Sequence, residues 1–331
     1  FYMSSSETSI FQLPPGLKMA VFIGLSGISL ILGGMISFSI AAALLHIPFS
    51  GLQSALLLPQ NASIAQFANA LASIIAFGLP GIVVALFSKN TLVSELGFAR
   101  IKNFNQIGLV VLIALTGLFL SGALGDLTEK IPIPIALRNW ATQMEGQYKK
   151  ALYAMTQMKS VLDLLFAIIA VAVVPAIVEE LFFRASLQKI LMEWTGKPYL
   201  AIIVTALIFS AFHFSYFGFL SRMSLGIILG IIYFYTKTIW LPMLMHFINN
   251  GIGITILYFV RDNPKKMDAV IGTAMKRVDE RTLLIAMSDH GFLSFRRQFN
   301  LNSWLLENGF AKLAADALRG GRPAAGAALC R

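Results

Sequence analysis

Residues 176–187 read AIVEELFFRASL, and they place Glu179, Glu180 and Arg184 inside a run that is otherwise apolar. A charged side chain at the centre of a bilayer costs about 2.5–3.5 kcal/mol even on the lenient insertion scales. Three of them within six positions need a reason, and the rest of the chain has to supply it.

The chain has 331 residues, 57% of them hydrophobic and only 13% charged, with a mean hydropathy of +0.74. Soluble domains carry about 25% charged residues, so the composition is that of a polytopic membrane protein. The formal net charge of +10 fits loops whose Lys and Arg set topology. No loop joins a dense basic patch to interleaved aromatics, which argues against nucleic acid as a partner. The single cysteine, Cys330, permits no internal disulfide and excludes cysteine ligation of a metal or cluster.

Working outward from Ala176–Leu187, seven apolar segments are long enough to count: Leu17–His46, Ile64–Ser88, Ile107–Leu120, Val161–Gln188, Tyr199–Phe217, Phe219–Thr236 and Ile239–Val260. A span needs about 20 apolar residues, fewer where its ends are polar. The expected fold is therefore all-α, a transmembrane helical bundle of about seven to eight spans with a short soluble C-terminal tail. The first segment is too long for a cleaved signal and reads as a retained anchor. Lys89, Arg100 and Lys102 follow the second span while the loop after the first has no Lys or Arg, which favours a cytoplasmic N-terminus. The localisation this implies is integral, multi-pass, in a plasma or inner membrane. Between the third and fourth spans, LRNWATQMEGQYKKALYAM (137–155) has helical spacing and is expected along the membrane surface. Three regions follow: a tail at 1–16, a transmembrane domain at 17–263 and a soluble tail at 264–331. In that last region 267–292 suggests an amphipathic helix, a strand at Thr282–Met287 and a turn, and the final LRGGRPAAGAALCR (318–331) reads as unstructured.

Spans one to three are nearly free of ionisable groups inside, and those within the spans gather in the second half. Glu179, Glu180, Arg184, His213 and His246 fall on spans four, five and seven, with Asn250 beside the last, and intramembrane ionisable residues mark a site by default. The pieces are Glu179-Glu180-xxx-Arg184, Phe209-xxx-His213 and His246-xxx-Asn250. Residues four apart share a helix face, so Glu180 should reach Arg184 and Phe209 should lie beneath His213. Pro175 is expected to remove a backbone hydrogen bond and kink the fourth helix beside the carboxylates. Measured from one membrane side at about 1.5 Å per residue, Glu179 lies about 13 Å deep, His213 about 21 Å, His246 about 10 Å and Asn250 about 16 Å. Convergence is allowed. Gly226 and Gly230 on span six form a GxxxG, read as plain packing.

Two chemistries suit such a set. Glu179, His213 and His246 are ligand types zinc prefers, with an open position for water, which the metal would acidify. Without a metal, a glutamate withdrawn between helices can act as general base on a water held by His213 and Asn250. Either way water is the nucleophile and a carbonyl the target, with Arg184 offsetting the paired carboxylates.

These pieces resemble the three motifs of the CPBP family of intramembrane proteases, which groups type II CAAX prenyl endopeptidases with bacteriocin-processing and self-immunity proteins. That family's pattern is EExxxR, FxxxH and HxxxN or HxxxB, with B a small or branched residue; this chain has EELFFR, FSAFH and HFINN in the same order, with the motif core at 161–260. The resemblance implies a membrane-embedded endopeptidase acting on a hydrophobic, prenylated or C-terminal peptide. It implies that Glu179 activates the water with support from Glu180, that His213, His246 and Asn250 hold the water or a zinc ion, and that Arg184 braces the carboxylates. The family also holds scaffold and immunity proteins, so a non-catalytic membrane protein of the same fold is the alternative. A proton-coupled transporter is disfavoured, because no inverted repeat is evident. The tail, residues 264–310, resembles a piece of the type I phosphodiesterases of the alkaline-phosphatase superfamily, in which Asp289 and His290 would correspond to metal ligands. The nucleophile and the larger domain such sites require are not in the sequence, so the tail is expected to be a fragment without that activity.

Overall fold

The computed structural model of the chain describes residues 13–88, 90–133, 135–155, 157–260, 311–313 and 328–330. Ten helices account for nearly all of the continuous part: α1 (Pro15–Leu45), α2 (Phe49–Leu56), α3 (Pro59–Ala85), α4 (Leu92–Glu95), α5 (Asn105–Lys130), α6 (Ile135–Met155), α7 (Val161–Thr195), α8 (Pro198–Ala211), α9 (Phe219–Thr236) and α10 (Trp240–Val260). Six of them, α1, α3, α5, α7, α9 and α10, are long and apolar enough to cross a membrane, and α8 is a shorter apolar helix. Their outward faces are as apolar as their cores, with Phe119 82% and Ile31 65% exposed. Contiguous apolar surface on that scale needs a lipid solvent. The protein is an integral, multi-pass membrane protein with an all-α transmembrane region.

Each of the seven apolar segments is found as a helix, with boundaries that differ for local reasons. The third span continues through Gly125 to Lys130 as α5, ten residues past the expected Leu120. Span four does not stop at Gln188 but runs to Thr195, where Gly196 takes φ +66° and ends it. The fifth stops at Ala211 rather than Phe217. There the Ser210 hydroxyl donates to the Phe219 carbonyl at 2.6 Å and Phe214 adopts φ +50°, closing a turn. The helix expected along the membrane surface is α6. It buries Ala141 and Glu145 and leaves Leu137 and Trp140 half exposed.

The central element is α7. It packs against α1, α3, α8, α9 and α10, and Leu181–Gln188 is buried throughout. Two stretches of α7, Ile168–Val173 and Leu181–Gln188, are wound as π-helix, a wider turn common at functional sites. Pro175 follows the first of them. It has no N–H to give the Val171 carbonyl four residues back, and the Asn250 amide reaches that carbonyl at 3.4 Å. Around the second stretch, Phe22, Phe77, Phe182, Phe183, Phe209 and Phe212 form a chain of edge and tilted ring contacts.

At one end of the bundle a polar network ties α1 and the α4 loop to α7. Lys18 reaches Glu193 at 3.2 Å and Ser88 at 3.4 Å, and Lys189 meets Glu95 at 2.7 Å. Burial alone would raise the pKa of Glu95, but hydrogen bonds from Lys189, Asn90 and Ser88 together outweigh it and leave the carboxyl below its ordinary value.

The chain divides into two compact units, residues 1–286 and 287–331. In the second, β1 (Ala311–Leu313) pairs antiparallel with β2 (Ala328–Cys330), Ala311 opposite Cys330 and Leu313 opposite Ala328. The expectation that 318–331 lacks structure is therefore corrected at 328–330. The helix, strand and turn expected over 267–292, Asp289 and His290 included, lie outside the described residues.

A carboxylate with a depressed folded pKa contributes stability above its unfolded pKa and loses it as pH falls through the folded one. Thermal unfolding in detergent should therefore show Glu95→Gln less stable than the parent by about 2 kcal/mol at pH 7. The gap should begin to shrink as pH falls through the ordinary glutamate range, about 4.3, and close once pH passes below the depressed folded value; a gap that does not change with pH would remove the pair as its cause.

Candidate functional site

The site is built where α7 and α10 run antiparallel. Glu179 and Glu180 fall about 27 Å along α7 from Val161 at helical rise, near the midpoint of this 35-residue helix. Glu180 is fully buried, and its Oε1 accepts from Arg184 Nη1 and from His246 Nδ1, both at 2.8 Å. Arg184, also fully buried, donates from Nη2 to the Gly226 carbonyl of α9 at 3.2 Å, and its guanidinium lies 4.8 Å from the centre of the Phe209 ring. One cation is thus shared among a carboxylate, a backbone carbonyl and a ring face, all of which favour positive charge.

Glu179 is held differently. Its side chain keeps 13% exposure, and its Oε2 stands 3.9 Å from His246 Nε2. That oxygen is buried without a hydrogen-bond partner in the protein. Because Glu180 accepts from His246 Nδ1, that nitrogen carries a proton, and in the neutral imidazole the Nε2 lone pair then faces Glu179. The second imidazole is fixed the same way. His213 Nδ1 donates to the Phe209 carbonyl at 2.9 Å, which leaves its Nε2 as the free nitrogen. Phe209 lies against both rings, with centroids at 5.0 Å from His213 and 5.9 Å from His246.

The geometry sorts the residues singled out in the sequence. Glu179, Glu180, Arg184 and His246 form one contiguous group, and His213 joins it through Phe209. His213 sits on the turn just beyond α8, not on the helix itself. Asn250 stands one turn beyond His246 on α10, and its polar contacts are with the Val171 carbonyl and with Asn249. Among the described residues no three His, Cys, Asp or Glu side chains are grouped to hold one ion. The expected ligand set of Glu179, His213 and His246 is not among such groups. Zinc in its usual three-ligand setting does not fit these side chains as they stand.

Phe209 has a wider role than expected, and Gln188 and Glu145 were not singled out. Phe209 is a shared platform under Arg184 and both imidazoles, where the motif spacing pointed only to His213. Gln188, fully buried, donates from Nε2 to the Gly230 carbonyl at 3.0 Å. Its position four residues after Arg184 was the available signal. Glu145 of α6 accepts from the Ser215 hydroxyl at 2.8 Å, tying α6 to the turn that carries His213. A groove of about 280 Å³ lined by Ile168 and α10 residues from Phe247 to Ile256 opens beside Asn250 and is almost wholly apolar.

Removing one partner of a buried pair strands the other charge. Arg184→Met should cost about 3–5 kcal/mol of stability, and Arg184→Met combined with Glu180→Gln should recover most of that loss. Thermal midpoints of the parent, both single variants and the double in one detergent check it; equal losses in the single and the double would exclude an uncompensated carboxylate as the cause.

Two family models match the chain. One, the type II CAAX prenyl endopeptidase Rce1-like model, matches residues 161–252. The other, type I phosphodiesterase / nucleotide pyrophosphatase, matches residues 248–330. No curated protein and no solved structure gives a match. The stretch 161–252, which carries both carboxylates, the arginine and both imidazoles, is similar to the Rce1-like type II CAAX prenyl endopeptidases, a family of membrane-embedded proteases.

Proposed function

We propose that the chain is an intramembrane endopeptidase in which Glu179 is the general base for a hydrolytic water. The observation that carries the reading is the pair formed by Glu179 Oε2 and His246 Nε2, two acceptors 3.9 Å apart, the first of them buried without a protein partner. A single water making hydrogen bonds of about 2.8 Å to each spans that separation. It would present its oxygen lone pairs away from both, toward a substrate carbonyl.

The reaction then balances without a cofactor. Glu179 takes a proton from the water as its oxygen adds to the carbonyl carbon, giving a tetrahedral intermediate. The protonated Glu179 returns that proton to the amide nitrogen as the C–N bond breaks, leaving an amine and a carboxylic acid, which gives up its own proton to the amine or to solvent. His246 orients the water, His213 offers its Nε2 to the same space, and the Asn250 amide is the neutral donor nearest along α10. Glu180 and Arg184 keep the His246 proton on Nδ1. No step is routed through a metal. A bond lying in or near the bilayer suits a hydrophobic, membrane-anchored or lipid-bearing peptide.

Glu179→Gln keeps the shape and removes the base. Cleavage of membrane substrates, read by terminal proteomics of membranes carrying the parent or the variant, should fall by about 10³-fold, with the thermal midpoint within 1–2 °C (about 0.3–0.5 kcal/mol). If the cellular phenotype survives both Glu179→Gln and His246→Gln, hydrolysis is not the function and a scaffold or immunity role of the same bundle takes its place. Metal analysis of the active purified protein is expected to show less than one equivalent; a stoichiometric metal whose removal abolishes cleavage would replace the metal-free mechanism.

A further inference from the structure

Arg184 and Gln188 make the same contact one turn apart. Each is fully buried on the π-wound part of α7, and each donates to the carbonyl of a glycine on α9, Arg184 to Gly226 at 3.2 Å and Gln188 to Gly230 at 3.0 Å. Backbone carbonyls inside a helix already accept from the N–H four residues on, so a second donor reaches them only where side chains leave the helix surface open. Gly226 and Gly230 leave it open. A Cβ on Gly230 would stand 2.7 Å from Gln188 Oε1 and 3.0 Å from Ile202 Cγ2. A Cβ on Gly226 would stand 3.0 Å from Ala206 Cβ and 3.3 Å from Phe209 Cδ1. The two glycines therefore do more than let α8 and α9 pack; they expose the acceptors that the α7 donors need.

We infer that Gln188, with Gly226 and Gly230, is a positioning device for the reaction proposed above, on whose reading this inference rests. The Gln188–Gly230 bond fixes the register of α9 against α7. That register puts the Gly226 carbonyl under Arg184 Nη2, and Arg184 in turn holds Glu180 Oε1. Glu180 holds His246 Nδ1–H, which aims Nε2 at Glu179. Gly226 also sets how closely α9 approaches Phe209, the ring against which both imidazoles rest. A displacement of about 1 Å at this distance from the chemistry can cost about 10²-fold in rate, and loss of a supporting hydrogen bond about 10–100-fold.

Gln188→Met keeps length and volume while deleting the donor, and is the variant of choice; Gly230→Ala tests the same contact from the other helix. Two readouts are taken on full-length protein in detergent or nanodiscs. The first is the kinetics of the cleavage found for the parent: kcat is expected to fall about tenfold in Gln188→Met with KM within twofold, since the residue touches no substrate. The second needs no activity. The side-chain ¹⁵N signals of His246 report the Nδ1–H tautomer in the parent, and they should shift toward a mixed tautomer in both variants while those of His46, remote from the group, stay fixed. Unchanged His246 signals and unchanged kcat would overturn the inference. If the parent shows no Glu179-dependent cleavage, the endopeptidase reading fails by itself. The positioning claim is then decided by the His246 signals alone: a shift upholds the device, and its absence removes it. A fall in thermal midpoint with both readouts unmoved would assign Gln188 to packing and overturn the inference equally.

Discussion

The bond from Arg184 to Glu180 is the constraint on which the rest of the bundle depends. At the bilayer centre an isolated carboxylate or guanidinium is expensive, and both residues are fully buried. The pair is tolerable only because each charge is answered by more than its partner. Glu180 Oε1 also accepts from His246, and Arg184 also donates to Gly226 and faces the Phe209 ring. Helices α7, α8, α9 and α10 are therefore joined by one charge, and none of the four can slide without breaking a contact whose loss costs several kcal/mol. The fold surrounds α7 because α7 carries what cannot face lipid.

The wide turns of α7 belong to the same problem. A regular helix satisfies its own backbone, but Pro175 takes one donor away, and the π-wound stretches change which residues share a face. The chain answers with neighbouring side chains. Asn250 reaches the Val171 carbonyl, and the Ser186 hydroxyl donates to the Leu181 carbonyl at 3.0 Å. Asn250, on this account, holds α10 to α7. The apolar groove is lined by Ile168, within the first π-wound stretch, and by α10 residues on either side of Asn250 in sequence.

Much of this was legible in the sequence. Composition sufficed for the membrane, because no soluble surface could be built from 13% charged residues. The four-residue spacings sufficed for Glu180 with Arg184 and for Phe209 with His213, since both contacts are local. Three things were out of reach, each for a physical reason. The end of α8 at Ala211 depends on Ser210 meeting Phe219, a contact visible only once the turn has closed. The union of His246 with Glu180 joins residues 66 apart, and helical spacing carries no information about which helices meet. The Gly226-xxx-Gly230 pair was legible as a close approach but not as a pair of acceptors, because a backbone carbonyl leaves no mark in the sequence. The absence of a three-ligand cluster among the described residues has the same origin: residue types were right for zinc, and their arrangement was not theirs to set.

The adjacent glutamates show why a motif doubles a residue. They differ by one position, about 100° around the helix, and this is enough to put them in different surroundings. Glu180 faces inward, accepts from a cation and an imidazole, and has no exposure left. Glu179 faces the gap beside His246 and retains partial exposure; each carboxylate has an Oε2 that no protein group satisfies, so the difference lies in exposure and in the two donors that Glu180 Oε1 accepts from. In the proposed reaction, two carboxylates in such different environments divide the work, one as a fixed counter-charge and one as the group that exchanges a proton. The division also explains the cost noted at the outset. On the reading proposed above, Glu180 and Arg184 are present in the hydrocarbon to hold His246 in one tautomer, and that tautomer gives Glu179 a partner with which to share a water.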